Sequence, residues 1–433
     1  VMDQPREIPG RAPEPFDRDP DWGWTRKAIA RLLSLGLEEN REGEIPFGLR
    51  EEIWEVLKPL TDDPEPTLED EREWGMDPAT LSINTVRGEA MHAVVRYALW
   101  CRRHLDGEEA HDLKEMPEVR EVLERHLKPE LDPSLAVRSV YGQWFPQLVH
   151  LDEGWAKSHV KSIFSQEDAR LWETAWMAYL AFCRPSDKVF EILRDEYKRA
   201  TERIGTWDPE GKFLADPDER LAEHLMALYW KGKIEIDDQL LRTFWDRASE
   251  DLTAYAIKFV GHALQRTEGK VSCNILDRLR TLWERRLREA EESEHPEKFK
   301  REVASFGWWF ISGKFDAKWT LDQLLSALKL SGTIDPSGLV VEKLAELAPD
   351  YPEESVRCLA ALVDGEVDYW EIDRWRKDAE KILSMAFESE SPEVRELAEE
   401  IVHKLGAKGH IAVSYTHLRA HETRHDLVCR LLL

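Results

Sequence analysis

From about Trp24 to Leu405 apolar residues recur at three- and four-residue spacing in one segment after another. No stretch alternates with the period of two that a half-buried strand requires. A chain with that single periodicity can bury its apolar stripes only by packing helix on helix, which predicts an all-α protein. Its 433 residues exceed the roughly 250–300 at which one hydrophobic core stops growing. The chain must therefore divide into several domains or stack helical units in an array, and the absence of a long low-complexity linker favours the array. The expected organisation is a disordered Pro-rich segment over 1–21, a helical array over 22–410 and a non-native tail over 411–433. The spacing predicts about 17 or 18 helices.

Helix starts are marked by proline near the first turn, at Pro117, Pro133, Pro352 and Pro392, where a missing N–H costs nothing. Gly107, Gly205, Gly269 and Gly365 punctuate helix ends. Short connections predict antiparallel pairs, such as Trp155–Phe164 followed by Leu171–Phe182. In the second member Leu171, Trp172, Ala175, Trp176, Tyr179 and Leu180 share one face, an aromatic stripe expected in the core. Trp308 with Trp309, and Trp370 with Trp375, are read in the same way.

Four segments open with a Val-Arg pair followed by apolar positions on one face: Val86-Arg87, Val137-Arg138, Val356-Arg357 and Val394-Arg395. In this the chain resembles the HEAT repeat. The resemblance implies a solenoid, a superhelix of antiparallel helix pairs, in which each Val packs inward. It also implies that Arg87, Arg138, Arg357 and Arg395 lie across junctions to neighbouring helices.

The formal charge of −26 and a pI near 5.1 oppose a phosphate backbone, so nucleic acid is not expected as the main ligand. A composition of 42% hydrophobic residues with 18 tryptophans separates the chain from acidic disordered sequences. The five cysteines, at 101, 183, 273, 358 and 429, are widely scattered, with no C-x-x-C pair and no spacing to histidine that would make a zinc knuckle, and are expected as reduced, buried thiols. No apolar run reaches the ~20 residues of a membrane span. Without a signal sequence at its start, the chain is expected in the cytoplasm.

The strongest catalytic match lies at the far end. His421-Glu422-Thr423-Arg424-His425 has the H-E-x-x-H spacing in which two helical histidines bind zinc around a general-base glutamate. Yet Val413–Thr423 resembles a translated sequencing adapter, and Leu427–Leu433 a translated flow-cell primer. On that reading His421, Glu422 and His425 are artefactual, no metal ligand is native, and the chain is a metagenomic reading frame open at both ends. The zinc-hydrolase reading stands as the alternative. Without residues 413–433 the chain keeps 57 basic and 84 acidic residues, so its acidity does not come from the tail.

No phosphate loop, dinucleotide turn or nucleophile elbow occurs. His92, His150, His159, His224 and His262 have no ligand or triad partner at a recognisable spacing, so neither a catalytic residue nor a cofactor is expected. Two segments look specified beyond packing: Ser82–His92, with Asn84, Arg87 and Gly88, and Leu135–Pro146, with Arg138, Gly142 and Trp144. Ser82 or Asn84 can cap the helix that follows. Gly88 and Gly142 sit in helix interiors at a cost of about 1 kcal/mol each against Ala, and close helix crossing or a ligand-facing surface would justify that cost. The same segments, with Ala379–Gly409, resemble the helical C-terminal regions of bacterial STAND-type NTPases and antiphage defence proteins. That resemblance implies a sensor arm binding a protein or peptide, with the ATPase and effector in a missing N-terminal part. An acidic groove would suit a basic partner. A self-standing scaffold is the alternative.

Overall fold

The computed structural model describes residues 1, 4–10, 21–39, 43–105, 112–207, 214–365 and 369–407, with the backbone alone at 369–371. Among them every regular element is a helix. The adapter-like tail with His421, Glu422, His425 and Cys429 lies outside the described residues, as do Gly107 and the Trp370 side chain. Contacts divide the chain into two units, Val1–His224 and Leu225–Leu433. No helix among the described residues is long and apolar enough to cross a membrane.

The first unit contains α1 (Trp22–Gly36), α2 (Arg50–Thr61), α3 (Leu68–Glu73), α4 (Pro78–Asn84), α5 (Val86–His104) and α6 (Pro117–His126). It continues with α7 (Leu135–Gln143), α8 (Phe145–Leu151), α9 (Glu153–Ile163), α10 (Ala169–Phe182) and α11 (Asp187–Glu202); the division falls within α12 (Pro217–Trp230). Its starts are capped by acidic and hydroxyl side chains: Asp21 accepts from Trp24 N, Asp77 from Thr80 N, and Ser134 from Val137 N. At α3, Thr67 and Asp70 form a reciprocal capping box. Pro78, Pro117, Pro352 and Pro392 stand at first helical positions, whereas Pro133 lies ahead of α7 rather than inside it.

The core of this unit is α5, which is buried nearly all round and is flanked by α1, α2, α4, α7 and α8. A helix with no solvent face needs neighbours on every side. The neighbour α7 packs in turn along α4 and α10. The aromatic stripe of α10 is buried as its spacing requires. Its closest neighbour is not α9, the other member of the expected hairpin, but α7, some 30 residues earlier in the chain. Gly142 is the reason. A Cβ there would overlap the carbonyl of Ala175, so α7 and α10 touch backbone to backbone.

The second unit contains α13 (Gln239–Arg247), α14 (Glu250–Arg266), α15 (Cys273–Glu292), α16 (Lys300–Ser305), α17 (Gly307–Phe310) and α18 (Ala317–Ser331). It then runs through α19 (Ser337–Leu347), α20 (Pro352–Asp364), α21 (Tyr369–Phe387) and α22 (Pro392–Ala407). Packing here is orderly by chain position. The helices α14, α16, α18, α20 and α22 each pack on the next of that series, and α17, α19 and α21 do likewise. The fully buried Trp283, Trp309 and Trp375 anchor its core, and Trp309 donates its indole N–H to Ile257 O at 2.7 Å. The buried Arg286 is held in a fork by Glu302, with Nε to Oε1 at 2.5 Å and Nη2 to Oε2 at 2.8 Å, and it stacks 4.3 Å from the Trp245 ring.

Candidate functional site

The first unit concentrates buried charge around the start of α1. Asp21 uses Oδ1 to cap α1, which leaves Oδ2 free to accept from Arg6 Nε at 3.3 Å. The turn after α2 carries Asp63 and Glu65. Asp63 Oδ1 accepts from Glu65 N at 3.0 Å, while Oδ2 lies 2.6 Å from Arg26 Nε, both side chains being buried. The Glu65 carboxylate lies 3.5 Å from Arg6 Nη1, and Arg6 also sits 5.8 Å from the Trp74 ring. Burial pushes Glu65 up to about 7; Asp63, Asp21 and Asp70 push the same way and Arg6 opposes them.

Gln4 and Arg6, in the Pro-rich opening, are thereby tied to the start of α1 and the turn after α2. Trp22 N donates to Arg6 O at 2.8 Å and Arg26 Nη1 to Gln4 O at 3.1 Å.

Next to this cluster Arg87, in the first turn of α5, donates to Asp63 O at 3.1 Å and Pro66 O at 2.7 Å and lies 3.4 Å from Asp132. Asp132 also receives Ser134 N and faces His126 Nδ1 at 2.7 Å. Glu71 accepts from the Ser134 hydroxyl and from the N–H groups of Leu135 and Ala136, placing an anion at the positive end of α7. Among the described residues no three His, Cys, Asp or Glu side chains form a group that could hold a metal ion.

The residues singled out in the sequence meet different fates. Arg138 is buried to 1% exposure and donates to Ser162 O at 2.6 Å and Leu127 O at 3.0 Å. It and Arg87 therefore cross to neighbouring segments. Arg357 and Arg395 do not. Arg357 pairs with Glu353 one turn back on its own helix, and Arg395 reaches only Ser389 O in the preceding turn. Asn84 does not cap α5, since its amide turns back to Thr80 O; nor does Ser82. Gly88 is a crossing point, because a Cβ there would overlap the backbone of Ser82.

Ser82, His92 and Trp144 form one buried chain of hydrogen bonds. The Trp144 indole N–H donates to His92 Nδ1 at 2.7 Å, so Nδ1 bears no proton and Nε2 must. Nε2–H then donates to Ser82 Oγ at 2.8 Å, and the serine hydroxyl to Ala79 O at 2.7 Å. A base that would activate Ser82 needs a free lone pair facing it; here the proton points the other way, and burial pushes His92 down to about 3. His224 forms a similar relay, donating from Nε2 to Cys183 O and accepting the Tyr197 hydroxyl at Nδ1. Of the cysteines, Cys101 and Cys358 are buried, Cys183 is partly so, and Cys273 is exposed, against the expectation of uniformly buried thiols. Burial pushes Cys101 and Cys183 up to about 11 and about 12.

Each unit also carries a surface cavity. One of about 380 Å³ in the first unit is lined by Arg102, His150, Glu153 and Lys188. The other, about 620 Å³ in the second unit, is bordered by Trp245, Glu250, Lys298 and the Arg286–Glu302 pair. Sequence reasoning missed Asp21, Asp63 and Glu65 as a group. The acidic turn Asp62-Asp63-Pro64-Glu65-Pro66 was the visible signal, but its partner Arg6 lies in the Pro-rich opening. Compared with protein-family models, with characterised proteins and with solved structures, the chain has no match.

Proposed function

We propose that this chain is the protein-recognition arm of a larger bacterial protein, and that its first unit engages a basic protein or peptide. The observation that carries the reading is the uneven distribution of charge. Val1–His224 holds 48 acidic and 30 basic residues, a net −18, whereas Leu225–Leu433 holds 38 and 30, a net −8. Complementary charge steers encounter and rejects like-charged competitors. The two-row succession of helices in the second unit supports its reading as a HEAT-like repeat array, the kind of element that supports a binding surface. The resemblance of Ser82–His92 and Ala379–Gly409 to STAND-type C-terminal regions supports an arm that reports to an ATPase.

The test is a titration of the whole chain with a fluorescent oligoarginine peptide, with oligoglutamate as control. Saturable binding of the cationic peptide alone, weakening steeply with added salt, is the expected result. Equal binding of both peptides, or none of either, would contradict the reading. Sequencing upstream of the reading frame tests the ATPase link, which an in-frame phosphate loop would support.

A further inference from the structure

Arg6 is bound differently from the buried arginines Arg138 and Arg26. Arg138 is a core residue, and Arg26 is sealed against Asp63 with side-chain exposures of 5% and 4%. The Arg6 side chain is 38% exposed, yet it meets two carboxylates from separate elements, Asp21 from the cap of α1 and Glu65 from the turn after α2, and an aromatic face, Trp74 at the end of α3. Its main chain is held at alternate residues, Gln4 O by Arg26 and Arg6 O by Trp22 N. The segment bends at Gln4, Arg6 and Glu7, so two main-chain carbonyls are gripped while one side chain is presented between carboxylates, a hold that combines main-chain affinity with a single side-chain specificity.

We propose that Asp21, Glu65 and Trp74 form a seat for the arginine of a bent segment of a partner protein, and that the chain's own Gln4–Gly10 occupies it in cis until displaced. The inference rests on the reading of the first unit as the surface for a basic partner, and it names the point of contact. The Arg26–Asp63 pair is the fixed floor and Arg6 the exchangeable occupant. The seat demands a cation, because without one the nearly buried Glu65 carboxylate stands unpaired. It prefers arginine to lysine, because Nε and Nη1 reach Asp21 and Glu65 at once, a fork that a single ammonium cannot copy.

The probe is a fluorescent peptide with the sequence of residues 4–10, titrated into the full chain and into Arg6→Ala. The Arg6→Ala chain binds it saturably, and the parent, which competes with itself, binds at least about tenfold more weakly. Lysine in place of the peptide arginine, or Glu65→Gln added to Arg6→Ala, weakens binding by about tenfold or more. Affinity rises as the pH climbs through about 7 and above, since binding needs the charged Glu65 carboxylate, which stands at about 7 with an arginine in place and higher without one. The groups that face Glu65 are Arg6, Asp21, Asp63 and Asp70, with Lys27 on α1.

If Arg6→Ala keeps the helical circular dichroism and unfolding midpoint of the parent but binds no peptide, Arg6 is a fixed clamp and the proposal fails. If Arg6→Ala does not fold, Arg6→Lys replaces it: tighter peptide binding than the parent supports the seat, and binding equal to the parent overturns it. Oligoarginine separates the two readings. Binding undiminished in Arg6→Ala/Glu65→Gln and indifferent to the peptide sinks the seat but spares the acidic surface, whereas loss of oligoarginine binding from every form sinks the surface itself.

Discussion

The two units use the same materials differently. In the first, α5 is enclosed by α1, α2, α4, α7 and α8, and the Val-Arg pairs of α5 and α7 send Arg87 and Arg138 to backbone carbonyls of other segments. In the second, helices follow one another in two rows, and the Val-Arg pairs of α20 and α22 leave Arg357 and Arg395 at the surface with local contacts only. In all four the valine is buried. At these four starts the valine faces inward and the surroundings decide what the arginine does; at a further start, Val119-Arg120 of α6, the valine is again buried and Arg120 pairs locally with Glu124. Where a helix is enclosed, the guanidinium must satisfy carbonyls that water cannot reach; where one face stays open, water satisfies them.

That contrast can be broken by substitution. Arg138→Ala is expected to have the largest effect, about 3 kcal/mol from the first unit's stability, because two carbonyls lose a charged donor and a cavity remains. Urea unfolding followed by tryptophan fluorescence measures it, and a loss comparable to that at Arg357 would erase the distinction. Gly142→Ala comes next, at about 2 kcal/mol or more, since the new methyl meets the Ala175 carbonyl and two helices must part.

A smaller effect sharpens the picture of the enclosed core. Trp144→Phe leaves His92 Nδ1 without its donor and costs about 1–2 kcal/mol. The pH dependence has a definite sign. Folded His92, held down to about 3, stays neutral while the unfolded residue gains a proton near its ordinary value. Its contribution is full above about pH 6.5 and is lost progressively as pH falls from there. His92→Gln should flatten that part of the stability profile, and an unchanged slope would mean that another group supplies it. Smallest are Arg357→Ala and Arg395→Ala, each below about 0.5 kcal/mol, as exposed local pairs contribute little.

What the sequence showed and what it hid divide along the same line of locality. The 3.6-residue periodicity marked the helices, and the stripe of α10 is buried where its spacing put it. Gly88 and Gly142 were singled out as interior helix glycines; the structure puts them instead in the first turn of α5 and the last turn of α7, where each marks a close crossing. The partner of α10 was not legible, since chain proximity suggested α9 while the match of Gly142 to Ala175 selected α7. The cap of α5 was misjudged, as Asn84 and Thr85 bond back to Thr80 and Leu81 instead. The arginine seat was hidden for the same reason. Arg6 and Glu65 are 59 residues apart, and only the fold places the turn after α2 beside the start of α1.

Hydrogen–deuterium exchange of the whole chain, with and without saturating oligoarginine, shows whether recognition belongs to the acidic first unit. Slowed exchange is expected in Val1–His224, around the start of α1 and the turn after α2, with Leu225–Ala407 unchanged. Protection confined to the second unit, or spread evenly over both, would contradict it.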